Sequence, residues 1–177
     1  MHFDGSKMLK GSGAGVVLRT PKGDKLCYVL QIHFTATNNV AEYEALLHGL
    51  HVENDLGVKR IVYYGDSDLV TQQVSGIRDA KSATMAAYRA KVDEFAKNFM
   101  GYEVRHVPSA ENEAADTLAR LGSERKKVPK DIFLEHLHKP SIKGADLLDP
   151  HAEEPVEAAS LAVYSIKPDR TVPYLDF

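Results

Sequence analysis

Two apolar periods alternate along residues 1–121, and the alternation restricts the chain to a sheet with helices packed against it. Residues 15–20 (GVVLRT) and 25–34 (KLCYVLQIHF) are rich in β-branched and aromatic side chains. The turn sequence Pro21-Lys22-Gly23-Asp24 between them predicts an antiparallel hairpin. Residues 38–56 then switch to helical spacing through Val40, Tyr43, Leu47 and Leu50, with Thr37 or Asn38 able to cap the start and Gly57 the end. Residues 60–64 (RIVYY) read as a short buried strand and 67–74 as a short helix. Residues 83–99 carry a stripe of Met85, Tyr88, Val92 and Phe95; 102–107 form another strand and 111–121 a last helix. With the first apolar residues as an opening strand, the order is an antiparallel meander followed by βα units, hence an α/β fold with a mixed sheet.

The rest of the chain has a different texture. Net charge is −1 over residues 1–121, +3 over 122–143 and −5 over 144–177. The predicted division is therefore a domain at 1–122, a basic, partly helical connector at 123–143, and an acidic, flexible tail at 144–177. A total charge of −3 with pI ≈ 6.2 excludes a strongly basic nucleic-acid coat, though not a local groove. The absence of an eighteen-residue apolar run excludes a membrane-spanning helix, and the N-terminus lacks the pattern of a secretory signal. Cys27 is the single cysteine, which leaves no intrachain disulfide and fits a reducing, intracellular compartment.

Acidic residues fall where chemistry usually sits. Asp4 ends the first apolar residues, and Asp66 follows the RIVYY strand, the end at which open α/β sheets place their sites. Glu42 lies early in the first long helix and Asp116 in the last. Carboxylates brought together repel one another unless a cation fills the gap, and Mg²⁺ is a usual occupant. Most of the 25 acidic residues must nonetheless be solvated surface. Helical geometry does not choose between Glu42 and Glu44, which flank the apolar stripe on either side. Asp68 rivals Asp66 in the same way.

The ordered contexts Phe3-Asp4-Gly5-Ser6, Thr37-Asn38-Asn39-Val40-Ala41-Glu42, Tyr64-Gly65-Asp66-Ser67 and His106 ahead of Glu111-Asn112-Glu113-Ala114-Ala115-Asp116 resemble type 1 ribonuclease H. The likeness is strongest to that domain in plant gypsy-type LTR retrotransposon polyproteins, and it covers residues 1–121. It implies a ribonuclease H-like fold with a five-stranded mixed sheet. It also implies endoribonucleolytic hydrolysis of the RNA strand of RNA/DNA hybrids with two Mg²⁺ ions, for which Mn²⁺ can substitute. The family register selects Glu42 over Glu44 and Asp66 over Asp68. Asp4 and Asp66 would bridge both ions, Glu42 and Asp116 would each bind one, and His106 would move a proton or loosen the product. Ser6, Thr37, Asn38, Asn39 and Ser67 would face the nucleic acid, reading groove shape and 2′-hydroxyls; helix capping is the commoner use of Thr-Asn-Asn.

The chain also departs from the family pattern. Only Met1, His2 and Phe3 precede Asp4, which predicts a first strand short of ladder hydrogen bonds. Lys10-Gly11-Ser12-Gly13 lacks the groove-contacting Asn of some relatives, and Asp68 stands where many carry Gln. These departures motivate an alternative, a weak or inactive hybrid-binding remnant of a retrotransposon polyprotein. Residues 128–143 resemble the connector that follows the domain in such polyproteins. Residues 161–177 hold apolar side chains that would either dock or fray.

Overall fold

The computed structural model of the chain describes residues 1–143. The expectations for the acidic tail and for docking by residues 161–177 fall outside them. A six-stranded sheet runs in the order β5-β4-β1-β2-β3-β6. Strands β1 (His2–Met8), β2 (Gly11–Arg19) and β3 (Lys25–Ile32) form the antiparallel meander. The parallel partners are β4 (Arg60–Gly65) on β1, β5 (Gly101–His106) on β4, and β6 (Phe133–Leu137) on β3. The expected turn closes through Gly23 N–H donating to the Thr20 carbonyl at 2.9 Å.

Helix α1 (Asn38–Asp55) lies on one face of the sheet, covered in turn by α2 (Asp68–Ser75) and α3 (Ala83–Ala96). Phe3, Leu30, Tyr43, Leu46, Leu50 and Tyr88 belong to the main core there. Helix α4 (Glu113–Ser123) covers the opposite face over Val17 and Val29, with Ala115 and Leu118 in the contact. That helix sits unusually close to the sheet. A Cβ on Gly15 would stand 2.3 Å from the Ala115 carbonyl oxygen, and one on Gly13 2.2 Å from the Ser123 nitrogen. The Gly11-Ser-Gly-Ala-Gly run that looks too poor in β-formers for a strand is therefore the half of β2 on which α4 rests.

Two expectations are corrected. The sheet has six strands rather than five, and the connector contributes a strand rather than a helix, since α4 ends at Ser123 and Phe133–Leu137 pairs with β3. The physical reason is the open edge of β3, whose backbone groups need partners that a helix cannot supply. Alternation then seats Phe133 on Tyr28, ring centroids 4.9 Å apart, and packs Leu137 against the core. The opening strand is bonded on both sides, and the Met1 ammonium donates to the Val62 carbonyl at 2.7 Å. The strand pairs with β2 along all seven residues but with β4 only at His2↔Tyr64, extended by the Tyr64 N–H donating to the Met1 carbonyl at 2.7 Å. Among the described residues, no helix is long and apolar enough to cross a membrane.

Candidate metal and nucleic-acid site

β1, β4 and α1 converge at one end of the sheet, and their carboxylates meet there. One oxygen each from Asp4, Glu42 and Asp66 lies within 4.8 Å of the others. Gly5 makes this approach workable, because a Cβ at that position would stand 2.3 Å from the Glu42 nitrogen. Asp4 and Glu42 are buried, 5% and 6% exposed. The Gly5 N–H donates to Asp4 Oδ1 at 2.9 Å. Glu42 Oε2 is buried with no hydrogen-bond partner. Asp116 lines the same cleft, of about 520 Å³, with Asn38, Asn39, Ser6 and Ser67, and is drawn to Arg120 one turn along α4, Oδ2 to Nε 3.2 Å.

Burial raises the Asp4 carboxyl to about 7, with the Asp66 and Asp116 charges adding and a hydrogen bond from Glu42 opposing. Burial and the Asp4 and Asp66 charges likewise hold Glu42 well above the usual carboxylate range. A buried, unpartnered carboxylate oxygen among other carboxylates is a costly arrangement in water alone. It fits a hard divalent cation, which prefers oxygen ligands and removes the repulsion. Asp4, Glu42 and Asp66 could hold such an ion, and Asp116 could join by leaving Arg120.

The two acids that helical geometry leaves equivalent separate cleanly. Glu44, 1% exposed, faces away from the cleft. It accepts from Tyr88 Oη at 2.6 Å, the Ser141 N–H at 2.8 Å and Ser141 Oγ at 2.5 Å, so its role is to close the 138–143 segment over α1. Asp68 is also occupied elsewhere, 3.3 Å from His106 Nε2. His106, its side chain 10% exposed, lies 3.2 Å from the Asp66 carbonyl oxygen and is not among the residues lining the cleft.

The other candidates divide by exposure. Thr37 and Ser67 cap helices, accepting from the Val40 and Val70 N–H groups at 3.1 and 3.2 Å. Asn38 is exposed and accepts from the Lys7 N–H at 3.0 Å, tying α1 to the β1–β2 hairpin; Asn39 is half-buried at the cleft wall. Ser6 accepts from Ser123 Oγ at 3.1 Å. Sequence reasoning gave Asn112 no role. It is 1% exposed and its amide donates to the Phe3 carbonyl at 3.0 Å, pinning the start of α4 beside Asp4. No local signal marks this contact, because Phe3 and Asn112 lie far apart in the sequence.

The sheet order, the meander and the helices on both faces define a ribonuclease H-like domain. The chain belongs to the reverse transcriptase-like family, whose model matches residues 2–122. The ribonuclease HI of Halobacterium salinarum is 40% identical over 84 residues, 48% of this chain and 42% of that protein's length. The chain thus spans less than half of that curated relative. The crystal structure of RNase H1 from this archaeon superimposes with a TM-score of 0.63 at 32% identity, covering 70% of this chain and 96% of that one. The N-terminal RNase H domain of Mycobacterium tuberculosis Rv2228c gives 0.62 at 29%, covering 70% and 91%. LC11-RNase H1, solved in complex with RNA/DNA hybrid, gives 0.61 at 25%, covering 70% and 95%.

Proposed function

We propose that this chain is a divalent-metal-dependent endoribonuclease that hydrolyses the RNA strand of RNA/DNA hybrids by a two-metal mechanism. The observation that carries the reading is the convergence of Asp4, Glu42 and Asp66, with one buried Glu42 oxygen left unpartnered. Mg²⁺ is the ion proposed, held by these three acids with Asp116 as the fourth, and Mn²⁺ is its substitute. Bound there, two such ions supply a water of lowered pKa and neutralise charge on the leaving 3′-oxygen. The chain's own residues position the scissile phosphate. Asn38 and Asn39 stand at the cleft wall for the minor groove, Ser6 and Ser67 flank the acids, and Thr37 fixes the helix start that presents the two Asn side chains. His106, once released from Asp68, moves a proton near the leaving group. Motif order and the connector-like segment 128–143 support an origin in a plant LTR retrotransposon polyprotein.

One observation favours the alternative of a binding remnant: His106 is engaged by Asp68, Nε2 to Oδ1 3.3 Å. An RNA/DNA hybrid labelled in turn on each strand separates the two readings. The proposal expects cuts in RNA only, leaving 5′-phosphate and 3′-hydroxyl ends. Binding without cuts would establish the remnant.

A further inference from the structure

Two imidazole nitrogens meet at the β3–β6 edge, outside the acidic cleft, with a third imidazole ring beside them. His33 immediately follows β3, and the parallel register Gln31↔His136 and Ile32↔Leu137, carried one residue on, sets it beside His138. His136 and His138 are two residues apart and so share a face with His33. All three are exposed. His33 Nε2 lies 2.8 Å from His136 Nδ1. Ring centroids are 5.1 Å apart for His33 and His136, and 4.8 Å apart for His33 and His138.

Two nitrogens at that separation either share one proton or face one cation. Imidazole nitrogens about 2.0–2.1 Å from a tetrahedral ion sit roughly 3.3 Å apart, so a small opening of the pair admits a metal. We propose that His33 and His136, with the neighbouring His138 ring turned inward as the third ligand, form a site for a transition-metal ion of the Zn²⁺ class (Zn²⁺, Co²⁺, Ni²⁺), with a fourth position open to water. Imidazole nitrogen suits these ions and not Mg²⁺. Arg125 stands close by, its guanidinium donating to the Ser12, Gly122 and Ile32 carbonyls at 3.1, 2.8 and 2.7 Å. Desolvation, the Arg125 charge and the two neighbouring rings hold His33 below the usual histidine value, which favours the neutral form a metal needs. The same cation opposes any ion lacking strong affinity for nitrogen. An ion here joins the connector to the sheet ahead of Ser141 and Ile142, which close over α1.

The test uses the full chain without a polyhistidine tag, in saturating Mg²⁺ so that the acidic cleft is filled. Zn²⁺ is titrated calorimetrically and Co²⁺ by its visible absorption. One equivalent should bind, raise the melting temperature, and remain in His51→Ala. His136→Ala/His138→Ala should weaken binding by more than about tenfold, the scale even outer-shell substitutions reach. These side chains are exposed, so the metal-free melting temperature should not change. Paramagnetic Co²⁺ should shift resonances of β3 and β6 in the parent protein. No uptake, uptake unchanged in the double variant, or shifts centred elsewhere would overturn the proposal.

Discussion

In chelator at about pH 8, the Asp4→Asn variant is expected to be more stable than the parent protein. The Asp4 carboxyl titrates near 7 rather than 3.8, because it is buried and faces Asp66 and Asp116. A folded-state pKa above the unfolded value gives a contribution that is fully present below about pH 4 and lost as pH rises through about 7. Roughly three units at about 1.4 kcal/mol each make the loss at most about 4 kcal/mol. Asn carries no charge, so its stability has no such slope, although it keeps the desolvation cost of a polar side chain. Urea unfolding followed by circular dichroism, in chelator at about pH 5 and about pH 8, measures the difference. The gap should widen toward the higher pH, and millimolar Mg²⁺ should reverse the order by stabilising the parent more than the variant. A variant less stable than the parent in chelator at about pH 8, or a gap independent of pH, would refute the picture of carboxylates held together against their repulsion.

Three other perturbations separate site from scaffold. Glu42→Gln should abolish hybrid cleavage and keep the fold, whereas Glu44→Gln should cost about 1–3 kcal/mol in urea unfolding through its Tyr88 and Ser141 bonds and keep cleavage per folded molecule. Gly15→Ala must move α4 outward by about 1 Å; unfolding should show a loss of about 1–3 kcal/mol, and cleavage should fall with the displacement of Asp116. His48 is half-buried and held at about 4, so the unfolded chain takes its proton first; stability present above about pH 6.5 should be lost toward pH 4, by up to about 3 kcal/mol. His48→Gln should flatten that slope in the metal-free protein, read as variant minus parent because Asp4 acts in the opposite sense.

Much of this architecture is legible in the residues themselves. The periods of 15–34 and 38–56 mark the hairpin and α1, and the ordered motifs place Asp4, Glu42 and Asp66 together, as the geometry does. What escaped is contact-dependent. α1 is buried around most of its circumference, so amphipathicity could not tell Glu42 from Glu44; only Tyr88 and Ser141, distant in sequence, do so. β6 has no period of its own and exists because β3 leaves an edge. The glycines of β2 look like loop and are instead the seat of α4. The pairing of Asp68 with His106 joins two elements and carries no local signature.

Metal-dependent cleavage by the carboxylate cluster is tested by comparing the parent chain with Asp66→Asn on an RNA/DNA hybrid, measuring hybrid binding and RNA cleavage in Mg²⁺ and in chelator. Both proteins should bind the hybrid equally, the parent should cleave it in Mg²⁺ alone, and the variant should not cleave it. Cleavage that survives chelator or the Asp66 substitution would contradict a metal-dependent role for the cluster.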